Sequence, residues 1–160
     1  MRKLLSVAVT LLFAGAVLAQ DATVPPPSQH AVLTLQGSGV QIYTCAAGHW
    51  IFVAPAARLF DKDGVEVGTH GDGPVWHLQD GSSVYGKVIA KSPSPDANSI
   101  PWLLVKATGS TGAGVLAKVE YIRRSETKGG GAPSGGCDAK HAGELARIPY
   151  STTYTFYSSK

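Results

Sequence analysis

From Gly39 to Tyr157 the chain is cut into short runs rich in β-branched and aromatic residues, separated by Gly and Asp-Gly turn signals. "GVQIYTC" (Gly39 to Cys45) reads as a strand, and "WIFVAP" follows it after a Gly48 turn. "ARLFDKDGVEVG" is a hairpin pattern: Leu59 and Phe60 lead into Asp63-Gly64, and Val65 and Val67 alternate with Glu66 on the return. "VWHLQDGSSVYGKVIA" repeats the device around Asp80-Gly81. "IPWLLVKAT" and "GVLAKVEYIRR" read as two more strands, the second alternating Val115, Ala117, Val119 and Tyr121 on one face. After the Gly/Pro/Ser loop "KGGGAPSGG" the chain ends on "PYSTTYTFY", with Tyr150, Tyr154 and Phe156 sharing a face at period two. Only Asp138 to Ala146 could make a helical turn or two. About eight short strands with turns every 8–12 residues predict an all-β fold, an antiparallel β-sandwich or a small barrel.

The first residues are of a different kind. Arg2 and Lys3 precede an apolar run from Leu4 to Phe13, and "VLA" (Val17 to Ala19) puts small residues where a signal peptidase cuts. The expected organisation is a signal peptide over 1–19, a Pro-rich, loosely held lead-in over 20–36, and one all-β domain over 37–160. Cleavage after Ala19 leaves 141 residues, enough for one core of its own. The leader run is too short for a membrane span, and no later run approaches that length. The expectation is therefore a secreted or periplasmic, soluble monomer. Without Arg2 and Lys3 the 14 basic residues become 12 against 11 acidic, a net charge of +1. The basic residues are scattered, whereas phosphate-backbone binding wants a clustered stripe, so nucleic acid is not an expected partner.

Cys45 and Cys137 both survive cleavage into an oxidising compartment, where an even count favours a disulfide over free thiols or a zinc site. A thiolate nucleophile is the rival reading. It lacks a C-x-x-C neighbour, although His49 and His141 each stand four residues beyond a cysteine.

"GTHGDGPVWH" (Gly68 to His77) is the stretch most suggestive of chemistry. If Gly71 to Pro74 is a four-residue turn, His70 faces Val75, Thr69 faces Trp76 and Gly68 faces His77. The two histidines then share a face diagonally, with Cα atoms about 7–8 Å apart. A metal would need a third ligand from Asp72, His49 or His141, and neither H-x-H nor H-E-x-x-H spacing promises one. The alternative is a plain turn, with Gly71 and Gly73 supplying unusual backbone angles and Pro74 stiffening the exit. "DKDG" (Asp61 to Gly64) lacks the sixth-position Gly of an EF-hand loop and is better read as a hairpin turn.

The runs "GVQIYTC", "VGTH..GPVW...DGS.V.G", "IPWLL" and "GCDA.HAGE...IPY...Y.FY" occur in this order over Pro25 to Tyr157. In them the chain resembles the secreted bacterial and fungal proteins grouped as domain of unknown function 3455. The resemblance implies no established activity. Some fungal members bear the label malate dehydrogenase, which requires a strand, G-x-G-x-x-G and a helix. The nearest stretch here, "GSTGAG" (Gly109 to Gly114), has the wrong glycine order and is followed by strand-like alternation, so NAD-dependent malate dehydrogenase activity is not expected. Within the family pattern His70, Gly73, Pro74 and Trp76 match whereas Asp72 and His77 do not, so a shared site would use His70 without His77. His141, in "CDAKHAGE", also matches, and Asp138 could cap its turn or orient its ring.

Two functional readings remain open. The first is a binding or structural module for an extracellular ligand, such as a polysaccharide or another cell-envelope component. Trp76 and Trp50 would be its stacking platforms and Asp80 a hydroxyl partner, with Trp102 in the core. The second is a small enzyme with a His-centred site, in which His70 and His141 converge with Asp138 or Glu144 as orienting carboxylate and Tyr154 nearby. No cofactor is expected, except that a metal held by His70, His77 and His141 would suit the second reading.

Overall fold

A computed structural model describes residues 21–159. The expected signal peptide, and Gln20 of the lead-in, lie outside the described residues. The described residues form eight strands: β1 (Gln29–Ala46), β2 (His49–Phe60), β3 (Glu66–Gly71), β4 (Val75–Leu78), β5 (Ser83–Ser92), β6 (Trp102–Thr111), β7 (Tyr121–Gly129) and β8 (Leu145–Ser159). Each pairs antiparallel with the next, and β8 pairs with β1 from Gln29↔Ser159 to Thr44↔Leu145. The sheet closes on itself, so the fold is the barrel and not the sandwich, and each strand has a paired neighbour on both sides, although β2 meets β3 only over Ala57–Phe60. No helix among the described residues is long and apolar enough to cross a membrane.

Alternation fills the inside. Leu35, Leu59, Trp76, Val84, Val105, Ile122, Tyr154 and Phe156 are buried in one cluster drawn from seven of the strands. Two inward rings are large for a small barrel, and glycines opposite them make the room. A Cβ on Gly37 would stand 2.6 Å from the Tyr154 ring, and one on Gly86 would collide with Val105 beside the Trp76 indole.

The chain alternates direction round the ring, so its connections divide between two ends. One end carries the β2–β3, β4–β5 and β6–β7 connections, and Leu116, fully buried, plugs it from a single 3-10 turn, Val115–Lys118. This corrects the strand expected over "GVLAKVEYIRR", which begins only at Tyr121. Alternation of Val115, Ala117 and Val119 suited a strand, but acceptors distant in sequence outweigh it. Asp80 Oδ2 takes the Val115 N–H at 2.8 Å and Ser82 Oγ takes the Leu116 N–H at 3.2 Å, which turns the backbone inward.

The opposite end gathers the β1–β2, β3–β4, β5–β6 and β7–β8 connections. There Cys45, on β1, is bonded to Cys137, in the β7–β8 loop, as expected from the even count. No helical turn forms between Asp138 and Ala146; the segment makes hydrogen-bonded turns, with His141 N on Asp138 O and Gly143 N on Cys45 O, and β8 starts at Leu145.

The lead-in is neither as long nor as loose as composition suggested. β1 begins at Gln29, and the preceding residues lie against the outer faces of β5 to β7, beside Ile89, Leu104 and Tyr121. Asp21 pairs with Arg123 at 2.6 Å and accepts from Thr23 and Ser92, while Thr23 is fully buried. Trp102 is only half-buried, with the Arg123 guanidinium 5.2 Å from its ring centre, and is absent from the core cluster.

Candidate functional site

The stretch Gly68 to His77 forms β3, a turn and β4, with register Gly68↔Leu78, Thr69↔His77, His70↔Trp76 and Gly71↔Val75. The turn is three residues, Asp72 to Pro74, with Gly73 at φ +88°, one residue shorter than expected. A slip of one residue exchanges the faces of a strand. His70 and His77 therefore do not share a face. His70 points into the barrel, 5% exposed, whereas His77 is exposed and bonds Ser83 Oγ at 2.7 Å.

Inside, the His70 imidazole stacks on the Trp76 indole, and the Tyr154 ring meets both edge-on, 5.1 Å from His70 and 5.6 Å from Trp76. His70 Nδ1 is 2.9 Å from the Val75 carbonyl oxygen. That oxygen can only accept, so Nδ1 carries the proton and Nε2 of the neutral ring is a bare acceptor. Burial is the main cause of a pKa lowered to about 4, with the Arg124 charge acting in the same direction and the Val75 bond against it. His70 is neutral at pH 7.

Beside this aromatic group lies a set of polar side chains, of which only Tyr154 was among the candidate site residues. Arg124, on β7, is buried, and its Nε and Nη2 both donate to the Pro101 carbonyl, at 3.2 and 2.8 Å. Three phenols surround it: Tyr154 and Tyr150, whose hydroxyls are 3.2 Å apart, and Tyr43, whose hydroxyl donates to Gly130 O at 2.6 Å. Burial raises the pKa of all three phenols, most strongly that of Tyr154, so they are un-ionised. Gln41 Nε2 and Trp76 Nε1 are buried without a hydrogen-bond partner among the described residues. The signal for Arg124 was present in "YIRR": period two puts it on the inward face with Ile122, and Arg123 outward.

Between these groups and the loops is a cavity of about 90 Å³, room for several waters or a ligand of comparable size. His70, Trp76, Arg124 and Tyr154 form one side, and Val88, Leu103, Val105 and Ile122 supply an aliphatic wall. Phe52, Pro55 and Pro74 also line it, with Phe52 set edge-on to Tyr43 and half exposed.

The other candidates lie elsewhere. His141 is on the exposed β7–β8 loop, bonded through Nδ1 to Asp138 Oδ1 at 2.7 Å, which raises its pKa and lowers that of Asp138. It does not line the His70 cavity, so the expected convergence of His70, His141 and Asp138 is not formed. Among the described residues no group of three or more His, Cys, Asp or Glu side chains is placed to hold a metal ion. Asp80 holds its own turn, accepting from Ser82 N and Oγ, and binds the 3-10 turn at the plugged end. Trp50 donates its indole N–H to Gly135 O at 2.8 Å, tying β2 to the disulfide loop, and Trp76 is 1% exposed. The two rings expected to form a surface platform are thus separated, one inside the barrel and one on the hairpin.

Fold and site together define a closed, up-and-down antiparallel β-barrel with an aromatic and cationic cavity at one end. The chain belongs to the family described as "Protein of unknown function (DUF3455)", whose model matches residues 25–158. No curated protein and no solved structure matches it.

Proposed function

We propose that this chain is an exported, disulfide-stapled barrel that binds a small molecule in the open end of its interior. Export is supported by the leader-like first nineteen residues and by the Cys45–Cys137 bridge, which suits an oxidising compartment. The observation that carries the binding reading is the cavity beside Arg124, His70, Tyr154 and Trp76. A barrel built only for stability would fill that space with aliphatic side chains, whereas here polar groups converge on it. A small ligand fits better than a polysaccharide chain, because the Trp76 face is sealed inside the barrel and the Trp50 N–H is already bonded.

Enzymatic use of the same cavity is the second reading, favoured by the bare Nε2 of His70 beside Tyr154. A base whose pKa is about 4 is poorly matched to work at neutral pH, which favours binding over catalysis.

The test is a screen of small metabolites against the purified mature chain, read by thermal shift and by tryptophan fluorescence, with Trp76→Phe as control. Ligands that raise the melting temperature should change the fluorescence of the wild type and not that of the variant. If only polymeric glycans bind, and Trp76→Phe leaves that binding unaltered, the interior is not the site.

A further inference from the structure

We propose that the open end of the barrel is an anion site anchored on Arg124, and that its ligand is a small monocarboxylate whose apolar body lies along the aliphatic wall. This rests on the reading of that cavity as a small-molecule site. A guanidinium stays protonated at any pH the fold survives, and burying it is costly unless an anion accompanies it. Arg124 is 9% exposed, and among the described residues it forms no ion pair with a carboxylate. The arginine ion pairs among the described residues are elsewhere: Arg123 with Asp21 and Arg58 with Glu66 on outer faces. Glu126, two positions on, is exposed and takes the Thr153 hydroxyl. What surrounds Arg124 is neutral, namely one carbonyl, three un-ionised phenols and an unprotonated imidazole nitrogen nearby on His70.

The ligand class follows from what else lines the space. One buried cation balances one negative charge, which suits a monocarboxylate better than a phosphate dianion. A planar carboxylate matches the Nη1 and Nη2 N–H groups of the guanidinium that the Pro101 carbonyl does not take, and the Tyr154 hydroxyl adds a donor of the right kind. Val88, Leu103, Val105 and Ile122 face the rest of the cavity and would cover an aliphatic or aromatic body, with Pro55 and the half-exposed Phe52 completing the lining. The cavity of about 90 Å³ limits that body to a few carbons or a single ring.

The experiment compares each anion with its uncharged amide. Benzoate and hexanoate, benzamide and hexanamide, and inorganic phosphate are titrated into the mature chain at pH 7, followed by calorimetry and by the indole N–H resonance of Trp76. The carboxylates are expected to shift that resonance and to bind at least about tenfold more tightly than their amides, with phosphate weaker than either carboxylate. Arg124→Gln should abolish the difference between acid and amide while amide binding persists. Should Arg124→Gln fail to fold, the wild-type comparison of acid with amide still decides. Amides that bind as tightly as the acids would overturn the anion site and leave the small-ligand reading standing. Phosphate binding more tightly than the carboxylates would overturn the monocarboxylate class. If no probe moves the Trp76 resonance up to about 10 mM, both readings fail together.

Discussion

The imidazole of His70 lies on the indole of Trp76 with ring centres 4.5 Å apart and planes 14° from parallel, and the two residues are direct cross-strand partners of β3 and β4. The stack fixes His70 as a neutral, inward-facing ring and gives it a measurable consequence. Its folded pKa of about 4 lies below the ordinary 6.5, so in the window between them the unfolded chain binds more protons than the folded one. The stability His70 confers is complete above 6.5 and is lost as pH falls towards 4, by about 3 kcal/mol. The lowered carboxylates, including Asp21 at about 2, lose theirs at lower pH. Urea denaturation at pH 7, 5.5 and 4.5 should show the loss, and His70→Leu should flatten the slope over that range. An unchanged slope in the variant would show that His70 is not buried neutral.

The bridge between Cys45 and Cys137 closes 92 positions of chain. In the chain-entropy model, opening so long a loop costs about 4–5 kcal/mol. Cys45→Ala with Cys137→Ala should lower the denaturation midpoint markedly, and reductant should do the same to the wild type. Non-reducing peptide mapping checks the pairing directly.

The β3–β4 turn separates two kinds of substitution. Gly73 holds φ +88°, where a β-branched residue is strained, so Gly73→Val should destabilise by about 1 kcal/mol or more. His77, on the outer face, should be replaceable by Gln with a change of about 0.5 kcal/mol or less and no effect on ligand affinity. A loss of ligand binding in His77→Gln would place the site on the wrong face of the hairpin.

Leu116 plugs the closed end, and its truncation leaves a hole that the surrounding strands cannot fill. Leu116→Ala should cost about 2–5 kcal/mol. Asp80→Ala, which removes the acceptor for Val115 N and for Ser82, should cost about 1–2 kcal/mol and raise hydrogen exchange at Val115 in particular.

By itself the sequence determined what local chemistry determines. Period-two runs between turn residues made the chain all-β with Tyr150, Tyr154 and Phe156 on the inner face, and an even pair of cysteines made a disulfide. The inward position of Arg124 was legible too, in its spacing from Ile122, but nothing local says why a charge should stand on a core face. Tertiary structure decided the rest. Closure of β8 on β1 chose the barrel over the sandwich, because strand pairing over such distances depends on register round the whole ring. A turn one residue shorter put His70 and His77 on opposite faces, since a strand's side chains alternate and nothing local counts the turn. Asp80 and Ser82, more than thirty positions away, bent Val115–Lys118 out of the strand its alternation favoured. His141 stayed outside with Asp138, because the disulfide fixes where its loop begins and not which way the imidazole faces.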